Sequence, residues 1–309
     1  MTRVAAVDCG TNTIKLLVAD LDPATGEERE RVREMRMVRL GQDVDRTGRL
    51  AEEALARTFA AVEEYAALVA AHDVEAIRFC ATSAARDADN AAEFAEGVRA
   101  RMGVDPEVVT GDEEARLSYV GATRSLLGGD HPQPFLVVDI GGGSTELILG
   151  SGTEVEAGRS LDIGSVRMTE RHLVGDPPTH AQVAAASAEV DQALDELAAH
   201  GVDPARGRTV VGVAGTITTV AAAVLDLPQW DYDAIHHADL AREDVHATTA
   251  RLLGMTYEER RALPYMHPGR ADVIGAGALI LDRVLARTSS DRLLVSQTDI
   301  LDGIAWSVA

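Results

Sequence analysis

The sequence predicts an α/β protein made of two lobes of like topology, each built on a mixed sheet. Three observations carry this. First, one pattern occurs twice: a strand ending in aspartate, a glycine-containing turn, a returning strand, a third strand and then a helix. It starts at residue 3 and again at residue 135. Second, each copy reads as an antiparallel meander followed by Ala-rich helical stretches. That pattern calls for mixed sheets rather than one doubly wound sheet. Third, 309 residues are enough for two cores. The expected division is 1–127 and 128–298, and a closing helix over 299–309 is a candidate to join the first lobe. Facing each other across a cleft, such lobes would bring both turns to one site.

The elements follow in order. VAAVD reads as a buried strand over Arg3–Asp8, and Cys9-Gly10-Thr11-Asn12 as a tight turn. Ile14–Asp20 returns as a second strand, Pro23–Gly26 turns again, and Arg31–Leu40 is a third strand. Apolar residues at helical spacing predict a long helix over Ala51–Ala71. A short strand at Ala76–Ala81 leads into Thr82–Arg86. Beyond it come a helix over Asn90–Met102, a strand over Glu107–Thr110 and a helix over Asp112–Leu127 capped at Gly111-Asp112.

Gly128–Pro132 reads as a hinge or junction, and the pattern then restarts. FLVVD, Phe135–Asp139, is the strand, Ile140–Ser144 the turn, Thr145–Gly150 the return and Glu154–Ser160 the third strand. Helices are expected over Ser165–Leu173, Ala181–His200, from Ile217, over Ala271–Arg287 and over Ile300–Ser307. Strands are expected at Thr209–Ala214 and Leu293–Ser296.

Composition is globular, 46% hydrophobic and 26% charged. No apolar run is long enough to span a bilayer. MTRVAAVDCG enters a strand at once and lacks signal-peptide organisation, so a cytoplasmic location is expected. Cys9 and Cys80, the two cysteines, are expected to be reduced. The net charge of -21 speaks against nucleic-acid binding, which needs a basic footprint. It does not exclude a polyanionic ligand. Charges are screened beyond about 8 Å at physiological ionic strength, so a few local cations can dominate a site.

Asp8–Thr11 (DCGT) and Asp139–Ser144 (DIGGGS) share one physical logic. Glycine allows a tight turn and close approach to a ligand, and consecutive turn N–H groups form an anion-binding concavity. Hydroxyls of Thr11, Thr13, Ser144 and Thr145 add donors. Aspartate repels phosphate, so Asp8 and Asp139 are useful where they hold Mg²⁺. Either turn alone reads equally well as a plain hairpin; the matched pair favours phosphate. Gly215-Thr216, where a strand opens a helix, is a third candidate anion site. Arg86 suits a phosphate oxygen through its planar fork. Lys15 points either to the site or to solvent. Glu113 and Glu114 at a helix start complement its dipole, and Glu114 is a candidate base if it faces the site. His236-His237, His180 and His267 are expected to be structural.

The segments DCGTNTIKLLVAD, ATSAARDADN, TGDEEARLSYVGA, VVDIGGGSTELILG, DIGSVRMTER, GVAGTITTVAA and GRADVIGAGALIL occur in this order. Together they resemble the exopolyphosphatase/guanosine pentaphosphate phosphatase family, from about Val4 to Gly303. The resemblance implies two actin-like lobes of the actin–hexokinase–Hsp70 fold group. It also implies Mg²⁺-dependent removal of terminal phosphoryl groups from inorganic polyphosphate or guanosine pentaphosphate. Glu114 matches the catalytic base, and Asp139 and Glu146 match acidic residues tied to metal and water. Asn12, Thr13, Gly141, Gly142, Gly143, Ser144, Gly215 and Thr216 match phosphate contacts, and Arg86 a substrate-binding arginine. Leu301-Asp302-Gly303 departs from a Leu-Arg-x-Gly pattern, and loss of that positive group is expected to alter substrate affinity. The chain resembles short members without C-terminal helical domains, which implies short substrates or frequent product release. A homodimer could rebuild a longer groove.

Three rival readings remain at this level. A small-molecule kinase on the same fold would use Gly275-Ala-Gly277 near an adenosine. A sensor would bind polyphosphate or guanosine tetra- or pentaphosphate without turnover. A filament role would follow from actin-like relatives, and no residue points to it.

Overall fold

The computed structural model describes all residues, 1–309. The chain divides into two compact units, Met1–Gly121 with Ile300–Ala309, and Ala122–Asp299.

In the first unit the strands are β1 (Thr2–Cys9), β2 (Thr13–Asp22), β3 (Glu27–Met37), β4 (Ala76–Ala81) and β5 (Glu107–Val108). The helices are α1 (Val44–Thr47), α2 (Glu52–Ala70), α3 (Ser83–Arg86), α4 (Ala91–Met102) and α5 (Gly111–Thr123). The sheet order is β3-β2-β1-β4-β5. β1 lies antiparallel to β2 and parallel to β4. β1 and β2 are near-continuous apolar runs because helices cover both faces. Ala5, Val7 and Cys9 pack with residues of α2 and α4. Val4, Ala6, Leu17 and Cys80 pack with Leu117 of α5 and with Ile300, Leu301, Ile304 and Ala305 of the closing helix.

The third strand begins at Glu27 rather than Arg31. The turn ends at Gly26 with φ 75°, and an edge strand tolerates the charged run EERER because its side chains reach solvent. α5 ends at Thr123, with one 3₁₀ turn over Arg124–Leu126, short of the continuous helix expected to Leu127.

Asp302, which stands where the resemblance expects a positive group, is tied into the first unit. It is buried, and Arg33 donates to it through both terminal nitrogens, Nη2 to Oδ1 at 2.5 Å and Nη1 to Oδ2 at 3.4 Å. Its charge is satisfied inside the first unit. Gly303 beside it touches backbone: a Cβ there would overlap the Leu117 carbonyl.

The second unit contains β6 (Phe135–Ile140), β7 (Thr145–Ser151), β8 (Glu154–Leu161), β9 (Thr209–Val213), β10 (Asp239–Ala241) and β11 (Arg292–Val295). Its helices are α6 (Ser165–His172), α7 (His180–Asp195), α8 (Ala214–Val224), α9 (Tyr232–Ile235), α10 (Arg242–Gly254), α11 (Tyr257–Arg261) and α12 (Ile274–Leu285). The closing helix of the first unit is then α13 (Ile300–Trp306). The sheet order is β10-β11-β9-β6-β7-β8. Read from the third strand of each repeat, both sheets run third, second, first and then a parallel neighbour. Each is an α/β lobe of the kind the motifs imply.

α7 starts at a capping box of Thr179 and Gln182 and ends at Asp195, followed by a 3₁₀ turn, Leu197–His200. α12 begins at Ile274, after a 3₁₀ turn over Pro268–Arg270. α8 begins at Ala214, three residues earlier than Ile217. α9, β10, α10 and α11 had no counterpart in the sequence reading. No helix is long and apolar enough to cross a membrane. Cys9 and Cys80 are free and buried.

Candidate active site

In the first unit the turn after β1 is closed by the Gly10 N–H, which donates to the Thr13 carbonyl at 2.9 Å. Its other carbonyls are tied back. Val38 and Arg39 N–H groups donate to the Asn12 carbonyl, and Gly41 N–H donates to that of Thr11. A Cβ on Gly41 would overlap the Thr11 side chain, so glycine is needed for this approach. A turn with its carbonyls held from behind presents its N–H groups to whatever it faces. Thr11 Oγ1 and Ser83 Oγ lie 2.9 Å apart, joining the turn to the start of α3.

Asp8 and Lys15 are cross-strand partners on β1 and β2. This register resolves the direction of Lys15, which shares a sheet face with Asp8. Its Nζ lies 3.4 Å from Asp8 Oδ2. The two glutamates at the start of α5 separate in role. Glu113 takes Arg116 at 2.9 Å and Arg78 at 3.2 Å, and these guanidiniums, Arg116 first, hold its carboxyl below the usual range against the opposing effect of burial. Glu114 is turned inward, and Arg86 Nη1 donates to its Oε2 at 3.0 Å and to the Val109 carbonyl at 3.0 Å. The structure thus brings Arg86 and Glu114 together.

The second unit repeats the turn. Gly141 N–H donates to the Ser144 carbonyl at 3.0 Å. Ser165 N–H donates to the Gly141 carbonyl, Val166 and Arg167 N–H groups to that of Gly142, and Arg167 Nε to that of Gly143. Gly164 fills the place of Gly41: a Cβ on it would overlap the backbone of Gly142 and Gly143. Asp139 and Glu146 are cross-strand partners on β6 and β7, with relative exposures of 6% and 2%. Ser160 on β8 donates to Glu146 Oε1 at 2.7 Å. Buried carboxylates need hydrogen-bond or charge partners.

Gly215 and Thr216 lie in the first turn of α8. Ala214 just before them has φ 67°, a left-handed conformation that costs a residue with a Cβ about 1–3 kcal/mol. Arg270 packs directly over Gly215, where a Cβ would overlap its guanidinium. Its Nη1 donates to Thr219 Oγ1 at 3.2 Å. Burial lowers the Arg270 pKa to about 10, and Asp299 opposes that shift.

Sequence reasoning missed Arg270, Arg167, Ser160 and the Thr11–Ser83 link. Arg270 lies within the motif GRADVIGAGALIL, and its pairing with Gly215 spans 55 residues, beyond any local spacing signal. Gly275 and Gly277 are buried in α12, and a Cβ on Gly277 would overlap Thr216. His236 and His237 stack at 3.8 Å, and the Gln297 N–H donates to His236 Nδ1 at 3.1 Å, as befits structural residues. His267 Nδ1 accepts from the Gly269 N–H at 3.1 Å. No group of three or more His, Cys, Asp or Glu side chains is gathered to hold a metal.

The Ppx/GppA phosphatase family model matches residues 30–309. The chain is 48% identical to exopolyphosphatase 2 of Mycobacterium tuberculosis, across 100% of this chain and 99% of that protein. Among solved structures it is similar to the Ppx/GppA family member of Aquifex aeolicus, with TM-score 0.83, 32% identity and coverage of 99% and 97% of the two chains. It is also similar to an exopolyphosphatase from Cytophaga hutchinsonii, with TM-score 0.89, 26% identity and coverage of 99% and 97%. With matching turns, buried carboxylates and likeness along its whole length, the chain belongs to the Ppx/GppA phosphatase family.

Proposed function

We propose that the protein is an exopolyphosphatase that hydrolyses the terminal phosphoryl group of inorganic polyphosphate. The observation that carries this reading is the matched pair of turns with tied-back carbonyls, each opening at a buried aspartate. Full-length likeness to a mycobacterial exopolyphosphatase supports it.

Phosphoryl transfer asks a protein chiefly for positioning and electrostatic stabilisation. The turn N–H groups and the hydroxyls of Thr13, Ser144 and Thr216 supply donors for phosphate oxygens. Lys15 and Arg86 supply positive charge. Glu114 orients the attacking water and takes its proton, and its ion pair with Arg86 keeps the carboxylate aimed. The shortened chain then leaves with the electrons of the broken P–O bond.

The donor set suits Mg²⁺. This ion commonly takes one or two carboxylates and completes its shell with water and phosphate oxygens, so a three-residue cluster is not required. Asp139 and Glu146 would hold it in the second unit. Asp8 fits less well, because the Lys15 ammonium competes for its oxygen. When bound, Mg²⁺ would neutralise phosphate charge.

Guanosine pentaphosphate is the second substrate reading, since the same groups would hold its terminal phosphate. One assay set decides. Purified protein is incubated with short polyphosphate, long polyphosphate, guanosine pentaphosphate and ATP in Mg²⁺, and released phosphate is measured. Polyphosphate is expected to be turned over fastest. Tight binding without phosphate release would make the protein a sensor instead. Glu114→Gln is expected to lower kcat by roughly 10²–10⁴-fold with KM largely kept; near-normal turnover removes Glu114 from the role.

A further inference from the structure

We infer that Arg78 is a positioning residue for Glu114, and that α13 acts as the brace through which it works. This rests on the reading of Glu114 as the group that activates water.

α13 is fixed to the sheet of the first unit. Four of its residues lie in the cluster with β1 and β2, Asp302 is held by Arg33, and Trp306 Nε1 donates to Glu28 Oε2 at 3.0 Å. From that base it meets α5 directly at one point and, through Arg78 of β4, at a second. Gly303 lies against the Leu117 carbonyl so closely that no side chain fits between. Beyond the helix, Ser307 accepts a hydrogen bond from Arg78 Nη1 at 2.7 Å. Arg78 Nη2 reaches Glu113 Oε1 at 3.2 Å and Glu107 Oε2 at 2.9 Å.

Leu117 lies three residues after Glu114, on the same side of the helix, and Glu113 lies one residue before it. α5 is thus held on both sides of Glu114, by contacts that do not touch Glu114. Arg78 suits this because a planar fork on a strand can serve Ser307, Glu107 and Glu113 together. A lysine there offers a point charge without the fork. Positional freedom matters because a misplacement of about 1 Å can cost about 100-fold in rate.

The test uses the full chain, assayed on polyphosphate well below each variant's melting temperature. Arg78→Met keeps the stem and removes the fork. It is expected to lower kcat about tenfold with KM within about twofold. Arg78→Lys should recover part of the loss, and Ser307→Ala, a milder change that spares the charge network, should cost about threefold in kcat alone. In a Glu114→Gln background, Arg78→Met should have almost no further effect, because the two act as one unit. Unchanged kcat in Arg78→Met and Ser307→Ala, with Glu114→Gln inactive, overturns the inference while leaving Glu114 in place. So does an equal loss in both backgrounds. Normal turnover by Glu114→Gln alone overturns the reading beneath it, and the inference with it.

Discussion

The two hairpins differ at one position that matters. Asp8 and Asp139 occupy the same place in the repeat, seven residues before their cross-strand partners. In the first unit the partner is Lys15; in the second it is Glu146. The backbone around them is repeated in detail, with Gly10 and Gly141 closing onto Thr13 and Ser144, and Gly41 and Gly164 allowing close approach from behind. One frame therefore carries two electrostatic tasks. Asp8 has an ammonium counter-charge within its own hairpin, with Lys15 Nζ at 3.4 Å. Asp139 with Glu146 is doubly negative, and like charges directly opposite each other in a sheet destabilise it. The hydrogen bond from Ser160 satisfies part of Glu146. The proposed Mg²⁺ is assigned to this hairpin because its two carboxylates are cross-strand partners.

Making the second hairpin resemble the first should have the largest effect. Glu146→Lys would pair with Asp139 as Lys15 pairs with Asp8, and kcat/KM is expected to fall roughly 100- to 1000-fold as the metal position is lost. Thermal melting should stay unchanged or rise, because a like-charge pair has gone. Retained Mg²⁺-dependent turnover would end the assignment of the metal to this hairpin. Next comes Lys15→Met. If Lys15 serves substrate, KM for polyphosphate should rise about tenfold, as expected for loss of one charge-assisted hydrogen bond, with kcat little altered. A collapse of kcat instead would make the first hairpin the catalytic one. Ser160→Ala should do least, raising the half-saturating Mg²⁺ concentration by about fivefold through loss of one hydrogen bond. No change in Mg²⁺ requirement would show that Glu146 needs no such orientation.

The repeat was legible because it is written locally. Strand, aspartate, glycine turn and strand lie within about fifteen residues, and apolar runs such as FLVVD mark a doubly covered strand without help from elsewhere. The direction of Lys15 was not legible from alternation alone; it needed the register with Asp8. The roles of Glu113 and Glu114 split only once Arg78 and Arg116 were seen to claim the first and Arg86 the second. Asp302 shows the limit most clearly. Its partner, Arg33, lies 269 positions away, so no local pattern could announce the ion pair. The stretch from Tyr232 to Arg261 escaped because its elements are short, apart from α10, whose buried stripe of Val245 and Leu252 is interrupted by Thr248 and Thr249.

That ion pair also orders events during synthesis. Arg33 leaves the ribosome early, in a strand of the first sheet, whereas Asp302 follows only after the whole second unit has been made. Until then the guanidinium lacks its buried counter-charge, and one face of β1 and β2 lacks one of its covering helices. Domains usually mature in the order in which they are translated. Here the second unit can close first, and the unit that was begun first is completed last.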